Sequence, residues 1–154
     1  MRRAGQRGLT LVELVVAFTI MLILTVMAVP LARVKVRTEK EFELKYDLRD
    51  MREAIDKYKE ACDLGTFGAS KQGTFCYPET LEVLVEGVKT QSADGKKMKF
   101  LRSIPRDPFT NSTEWGLRSM QDDVKSESWS GDNVFNVYSK TRDHDADDKP
   151  YSEW

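Results

Sequence analysis

"RGLTLVELVVAFTIMLILTVMAVP", residues 7–30, decides how this chain is built. From Leu9 to Ala32 the one charged side chain is Glu13, and the only other polar side chains are threonines. About twenty apolar residues are enough to cross a bilayer as a helix. A lone carboxylate in lipid costs about 3 kcal/mol or more unless it is paired or protonated. Glu13 therefore calls for a partner.

Working outward, the stretch before the run holds Arg2, Arg3 and Arg7 and no acid. Basic residues followed by an apolar segment are the layout of a secretory signal. The run is too long for a signal-peptide core, however, and its far end reads "MAVPLARVKV", without a small-x-small cleavage site. The small residue placed to mark a cut is Gly8, ahead of the run. Cutting there removes the charged leader and keeps the hydrophobic helix.

The chain of 154 residues leaves room for this segment and one small globular domain. Its formal charge of −1 and its lack of a basic domain or stripe point away from nucleic acid. Its single histidine, His144, sits in an acidic stretch, where solvent exposure explains it better than general-base duty. There is no glycine-rich phosphate loop, nucleophile elbow or zinc spacing, so no nucleophile–base pair can be nominated and an enzyme is not expected.

The run "RG-LTLVELVV" resembles the class III signal of type IV pilins and type II secretion pseudopilins. The resemblance implies that a prepilin peptidase cuts after Gly8 and methylates the new N-terminal amine on Leu9, where phenylalanine is commoner. It makes Glu13 the acidic fifth residue of the mature chain, which meets the N-terminal amine of a neighbouring subunit as subunits leave the bilayer and stack. A buried carboxylate is costly alone and tolerable beside an opposite charge, so its role is to set register between subunits. The alternative is a single-pass anchor with an incidental glutamate.

Beyond Pro30, which removes a helical hydrogen bond, "ARVKVRTEKEFELK" (32–45) is charge-dense and lacks a continuous apolar face. Then Leu44, Leu48, Met51, Ile55, Tyr58 and Cys62 recur at alternating spacings of four and three, the stripe of an amphipathic helix. The stripe is short of three heptads, which favours packing on its own domain over a coiled coil. From Leu9 to Asp63 such a spine would be roughly 80 Å long. Arg33, Lys35, Arg37 and Lys40 on the far flank balance the leader arginines, so charge alone does not orient the segment. Cys62 and Cys76 flank a Gly-, Ser- and Thr-rich stretch and in an exported domain would form a disulfide; the alternative is two free thiols.

The remainder reads as an α+β head. "YPETLEVLVEGV" (77–88) predicts a helix with Leu81, Leu84, Val85 and Val88 on one face, and "TQSADGKK" a loop. Pro105, Asp107 and Pro108 predict a turn, followed by a short strand around Trp115 and Leu117. "MQDDVKSESWSGD" reads as a polar connector, and "NVFNVYS" (133–139) as the antiparallel partner of the Trp115 segment. "YPETLEVLV", "LRSIPRDPFTN" and "NVFNVYSKTRD", in that order, resemble the head of the major pseudopilin of type II secretion systems. There the acidic loop after "YS" binds calcium. Carried over, Lys140 would lend a carbonyl, Asp143 a carboxylate, and Asp145 or Asp148 a second carboxylate. Neither glycine nor glutamate stands where an EF-hand needs it, and the alternative is a solvated acidic loop.

The expected layout is a cleaved leader (1–8), a membrane and assembly helix (9–32), an amphipathic spine (33–63) and a periplasmic head (64–154). The resemblance implies a structural subunit of a periplasmic pseudopilus, anchored in the inner membrane and polymerised through its N-terminal helix to help drive protein export. Its partners would be copies of itself, sister minor pseudopilins, the prepilin peptidase, and an inner-membrane platform with its ATPase. Calcium would be the one cofactor. The alternatives are a type IV pilin serving twitching, adhesion or DNA uptake, and a membrane-anchored binding module that does not polymerise.

Overall fold

A computed structural model describes residues 10–68, 71, 73–91 and 95–154, without the side chains of Met27 and Leu31. The fold is α+β: one long N-terminal helix, one short helix and two small antiparallel sheets. Helix α1 spans Leu11–Asp63 and remains helical through Pro30. The chain divides into two compact units within α1, Met1–Glu39 and Lys40–Trp154.

In the first unit every described side chain from Leu11 to Val26 is exposed. A helix that is apolar all round needs an apolar environment outside itself, and this one is long and apolar enough to cross a membrane. Its threonines do not spoil that character. The Thr19 hydroxyl donates to the Val15 carbonyl and the Thr25 hydroxyl to the Met21 carbonyl, both at 2.8 Å.

The second unit is built on the apolar stripe. Leu44, Leu48, Met51 and Ile55 are at most 2 % exposed and pack with Leu81, Leu84, Leu101, Trp115, Val134, Val137 and Tyr151 in one core. Each such aliphatic side chain contributes about 1.5–3 kcal/mol by leaving water. The stripe therefore serves its own domain.

Helix α2 (Leu81–Glu86) is shorter than the 77–88 expected, because Gly87 ends it. Gly87 lies at φ +78°, its N–H caps the Val83 carbonyl, and a Cβ there would come within 2.6 Å of the Met98 carbonyl oxygen. Val88, expected on the helix, instead begins β1 (Val88–Lys89), which pairs with β2 (Lys97–Met98). The segment read as a loop thus connects a two-residue ladder.

Strands β3 (Gly116–Arg118) and β4 (Asn136–Tyr138) pair antiparallel, as expected of their segments, with Gly116 opposite Tyr138. Gly116 leaves room for that ring: a Cβ there would lie 2.3 Å from it. The stretch joining the strands is more than a connector. Ser119 and Asn133 are buried in it, with the Ser119 hydroxyl donating to the Asn133 carbonyl. The Asn133 side chain accepts from the Met120 N–H and donates to Gln121.

Candidate functional site

The Gly8–Leu9 junction lies outside the described residues, so the site begins at Thr10. The Thr10 hydroxyl accepts the Glu13 N–H at 3.3 Å, and its carbonyl accepts the Leu14 N–H at 3.1 Å. Thr-x-x-Glu is the sequence of a capping box. Glu13 also stands in the first turn, where the helix's unpaired N–H groups favour a negative charge. Thr10 therefore satisfies one of the free N–H groups at the start of α1, that of Glu13. The Glu13 carboxylate is exposed and forms no ion pair among the described residues. It is the single formal charge on an apolar surface and remains available to a cation from outside.

Cys62, at the end of α1, is joined to Cys76 by a disulfide with the Cα atoms 5.5 Å apart. In the loop it closes, Phe67 packs against Tyr58 and Phe100 at ring separations of 5.1 and 6.0 Å. The closure fastens this loop to the final turns of α1.

The acidic loop after β4 is organised around Asp145. One carboxylate oxygen accepts the N–H groups of Asp147 and Lys149, both at 2.9 Å, and the other accepts the Trp154 indole at 3.1 Å. The Lys149 N–H, aided by Asp147 and Trp154, holds the Asp145 carboxyl below its usual range. The backbone closes as well, with Asp145 N–H on the Lys149 carbonyl and Tyr151 N–H on the Asp143 carbonyl. Among the described residues no three His, Cys, Asp or Glu side chains are grouped to hold a metal ion. Lys140 points its amine toward Glu114, at 4.0 Å, and Asp148 takes a positive φ of 60°. His144 is exposed and bridges to Pro150.

Other polar residues hold the head together; of these the sequence pattern marked only Asp107, as part of a turn. Asp107, 2 % exposed, accepts the Phe109 N–H at 2.8 Å and the Ser139 hydroxyl at 2.5 Å, tying the Pro-Asp turn to the end of β4. Arg118 is buried, lies over the Tyr138 ring at 4.0 Å, and donates to the Ser126 and Ser152 carbonyls. Arg52 donates from α1 to the Asn136 side chain and to the Val137 and Trp154 carbonyls. Asp47 is pushed up to about 6 by burial, then by Glu43, Asp50 and Asp107. The signal available in sequence was an arginine or aspartate inside an apolar pattern, which reads equally well as a solvated face.

The curated proteins and the solved structures offer no match to this chain. Residues 3–29 match the prokaryotic N-terminal methylation motif, the type IV pilin-like prepilin signal. The matched segment contains Gly8, Leu9, Thr10 and Glu13, and it ends just before Pro30. Such motifs mark pilin-like structural subunits, which are not enzymes, and together with the apolar helix this one fits an inner-membrane anchor. The chain carries the N-terminal methylation signal of pilin-like prepilin peptidase substrates.

Proposed function

We propose that this protein is a structural subunit of a type II secretion pseudopilus. It is cut after Gly8, methylated on Leu9, and stacked through α1 into a periplasmic filament that helps push folded cargo outward. The observation that carries the reading is Glu13, a lone exposed carboxylate in an apolar helix that lies inside the matched methylation motif. Cleavage places a positive amine about one helical turn from this carboxylate. In a stack of such helices the amine of one subunit can meet the Glu13 of another, so that neither charge is buried alone. The order of the "YP", "PRDP" and "YS" segments favours the major secretion pseudopilin over a twitching pilin. Sister minor pseudopilins and an ATPase-driven inner-membrane platform are the partners that follow from this reading.

Intact-mass measurement of membrane-extracted protein is expected to show loss of residues 1–8 and the mass of one added methyl group. Full-length chain in assembled filaments would refute processing. Deleting the gene is expected to block export of type II cargo and leave twitching intact; the opposite pattern would favour a type IV pilin.

Calcium on the acidic loop is a second proposal. The Lys140 carbonyl and the Asp143 carboxylate would hold it, with Asp148 as the second carboxylate, because Asp145 already spends both oxygens on N–H donors. The ion would neutralise clustered carboxylates on a loop that carries Asp143, Asp145, Asp147 and Asp148.

A further inference from the structure

Along α1, Glu43, Asp47 and Asp50 follow one another at spacings of four and three, and Lys45, Arg49 and Arg52 repeat that spacing two positions later. Two positions are about 200° around a helix and about 3 Å along it. The two triplets therefore form an acidic and a basic stripe at the same height on opposite flanks, either side of the buried Leu44–Leu48–Met51 line.

Among the described residues neither stripe is closed by ion pairs, although Arg49 acts on Glu53 and Asp50 on Lys57 at longer range. Arg52 gives its hydrogens to neutral acceptors, and Lys45 lies over the Trp154 ring at 4.1 Å. The carboxylate beside the basic stripe, Asp145, already accepts from three N–H groups. Like charges three and four residues apart weaken a helix, so both stripes gain from a partner of opposite sign. Phe42 and Tyr46, 76 % and 65 % exposed, lie on the outward face between the stripes and supply the aromatic surface that protein contacts favour.

We propose that the acidic flank of one α1 packs against the basic flank of the next in an array of copies of this chain. A small anion would satisfy the basic stripe alone; a second copy satisfies both. Because one patch meets a different patch, each added copy leaves a free flank at either end, and the contact propagates where a self-complementary patch would stop at a dimer. The inference rests on the filament reading above and names the head surface that reading requires.

The test uses the full chain in the cells that make it, with filaments collected by sedimentation. Two variants reverse the exposed members of each stripe, Lys45→Glu with Arg49→Glu, and Glu43→Lys with Asp50→Lys. Each is expected to lower filament yield at least about tenfold, since like-charge contacts across an interface are strongly unfavourable. The fourfold combination, which restores complementarity, is expected to recover yield to within about twofold of the parent. In filaments grown from mixed heavy- and light-isotope chains, zero-length carbodiimide coupling should join Lys45 of one chain to Glu43, Asp47 or Asp50 of another. Either recovery or the mixed-isotope cross-link supports the contact, and absence of both overturns it. Parental filaments that tolerate both reversals also overturn it and leave the filament reading standing. A parent that forms no filament removes the reading and the contact together.

Discussion

Replacing Asp47 by Asn should stabilise the head at neutral pH. Burial and the neighbouring Glu43, Asp50 and Asp107 raise this carboxyl from 3.8 to about 6. A carboxyl with a raised native pKa binds its proton more tightly when folded. Its favourable contribution is therefore complete below about pH 4 and disappears as pH rises through about 6. At pH 7 the native state holds a charge it disfavours. At about 1.4 kcal/mol per unit the shift corresponds to roughly 3 kcal/mol. Asp47 is only partly buried, and solvent screening reduces this to about 1 kcal/mol. For a domain of this size that is about 4 °C in Tm. The assay is thermal unfolding of the full chain in detergent, followed by tryptophan fluorescence; Trp115, Trp129 and Trp154 all lie in the second compact unit. The variant is expected to melt higher than the parent at pH 7, with the gap closing between pH 6 and 4. A gap that does not change with pH, or a variant that melts lower at pH 7, would refute the electrostatic account.

Glu13→Gln is expected to leave processing and membrane insertion intact and to impair filament formation, since it removes the charge and keeps the shape; assembly at the parental rate would sink the register role. Gly116→Ala drives a Cβ into the Tyr138 ring and should cost about 1–3 kcal/mol, read as a lower urea midpoint. Changing Cys62 and Cys76 together to Ser opens the loop they close and should cost about 3 kcal/mol in the same titration. If the acidic loop takes calcium, a hundredfold excess over Kd adds about 2.7 kcal/mol and several degrees in Tm. Asp143→Ala should remove that increment, and equal melts with calcium and chelator at fixed ionic strength would reduce the loop to a solvated one.

The parts of the fold legible in sequence are those with a period. The apolar run and the Leu44–Cys62 stripe foretold one long helix, and "NVFNVYS" found its partner because alternation survives over several residues. Strands β1 and β2 are two residues each, too short to carry a period. The end of α2 depended on how close Gly87 comes to Met98, a long-range contact that no local pattern encodes. Asp107 was read as a turn residue, and Arg118 and Asn133 as members of strand segments, without their buried bonds, because burial depends on which carbonyls and N–H groups the finished fold presents to them. Asp145 illustrates the same limit. The pseudopilin resemblance implied it, or Asp148, as a calcium ligand; the turn it organises through the Asp147 and Lys149 N–H groups carries no such signature in the sequence.

The inward-bonded hydroxyls of Thr19 and Thr25 have a consequence for movement of the helix between environments. A polar group that exchanges hydrogen-bond partners during transfer must first lose the old one, and in an apolar medium that step is expensive. These threonines carry their acceptors with them. Between a lipid bilayer and a tightly packed protein interior, this stretch of α1 has no hydrogen bond of theirs to trade. Its preference is left to shape, dispersion and the one ionisable group at its edge. For such a segment, passage from a membrane into a packed protein interior and back breaks none of these threonine hydrogen bonds, and Glu13 is the one formal charge along it that must find a different partner in each.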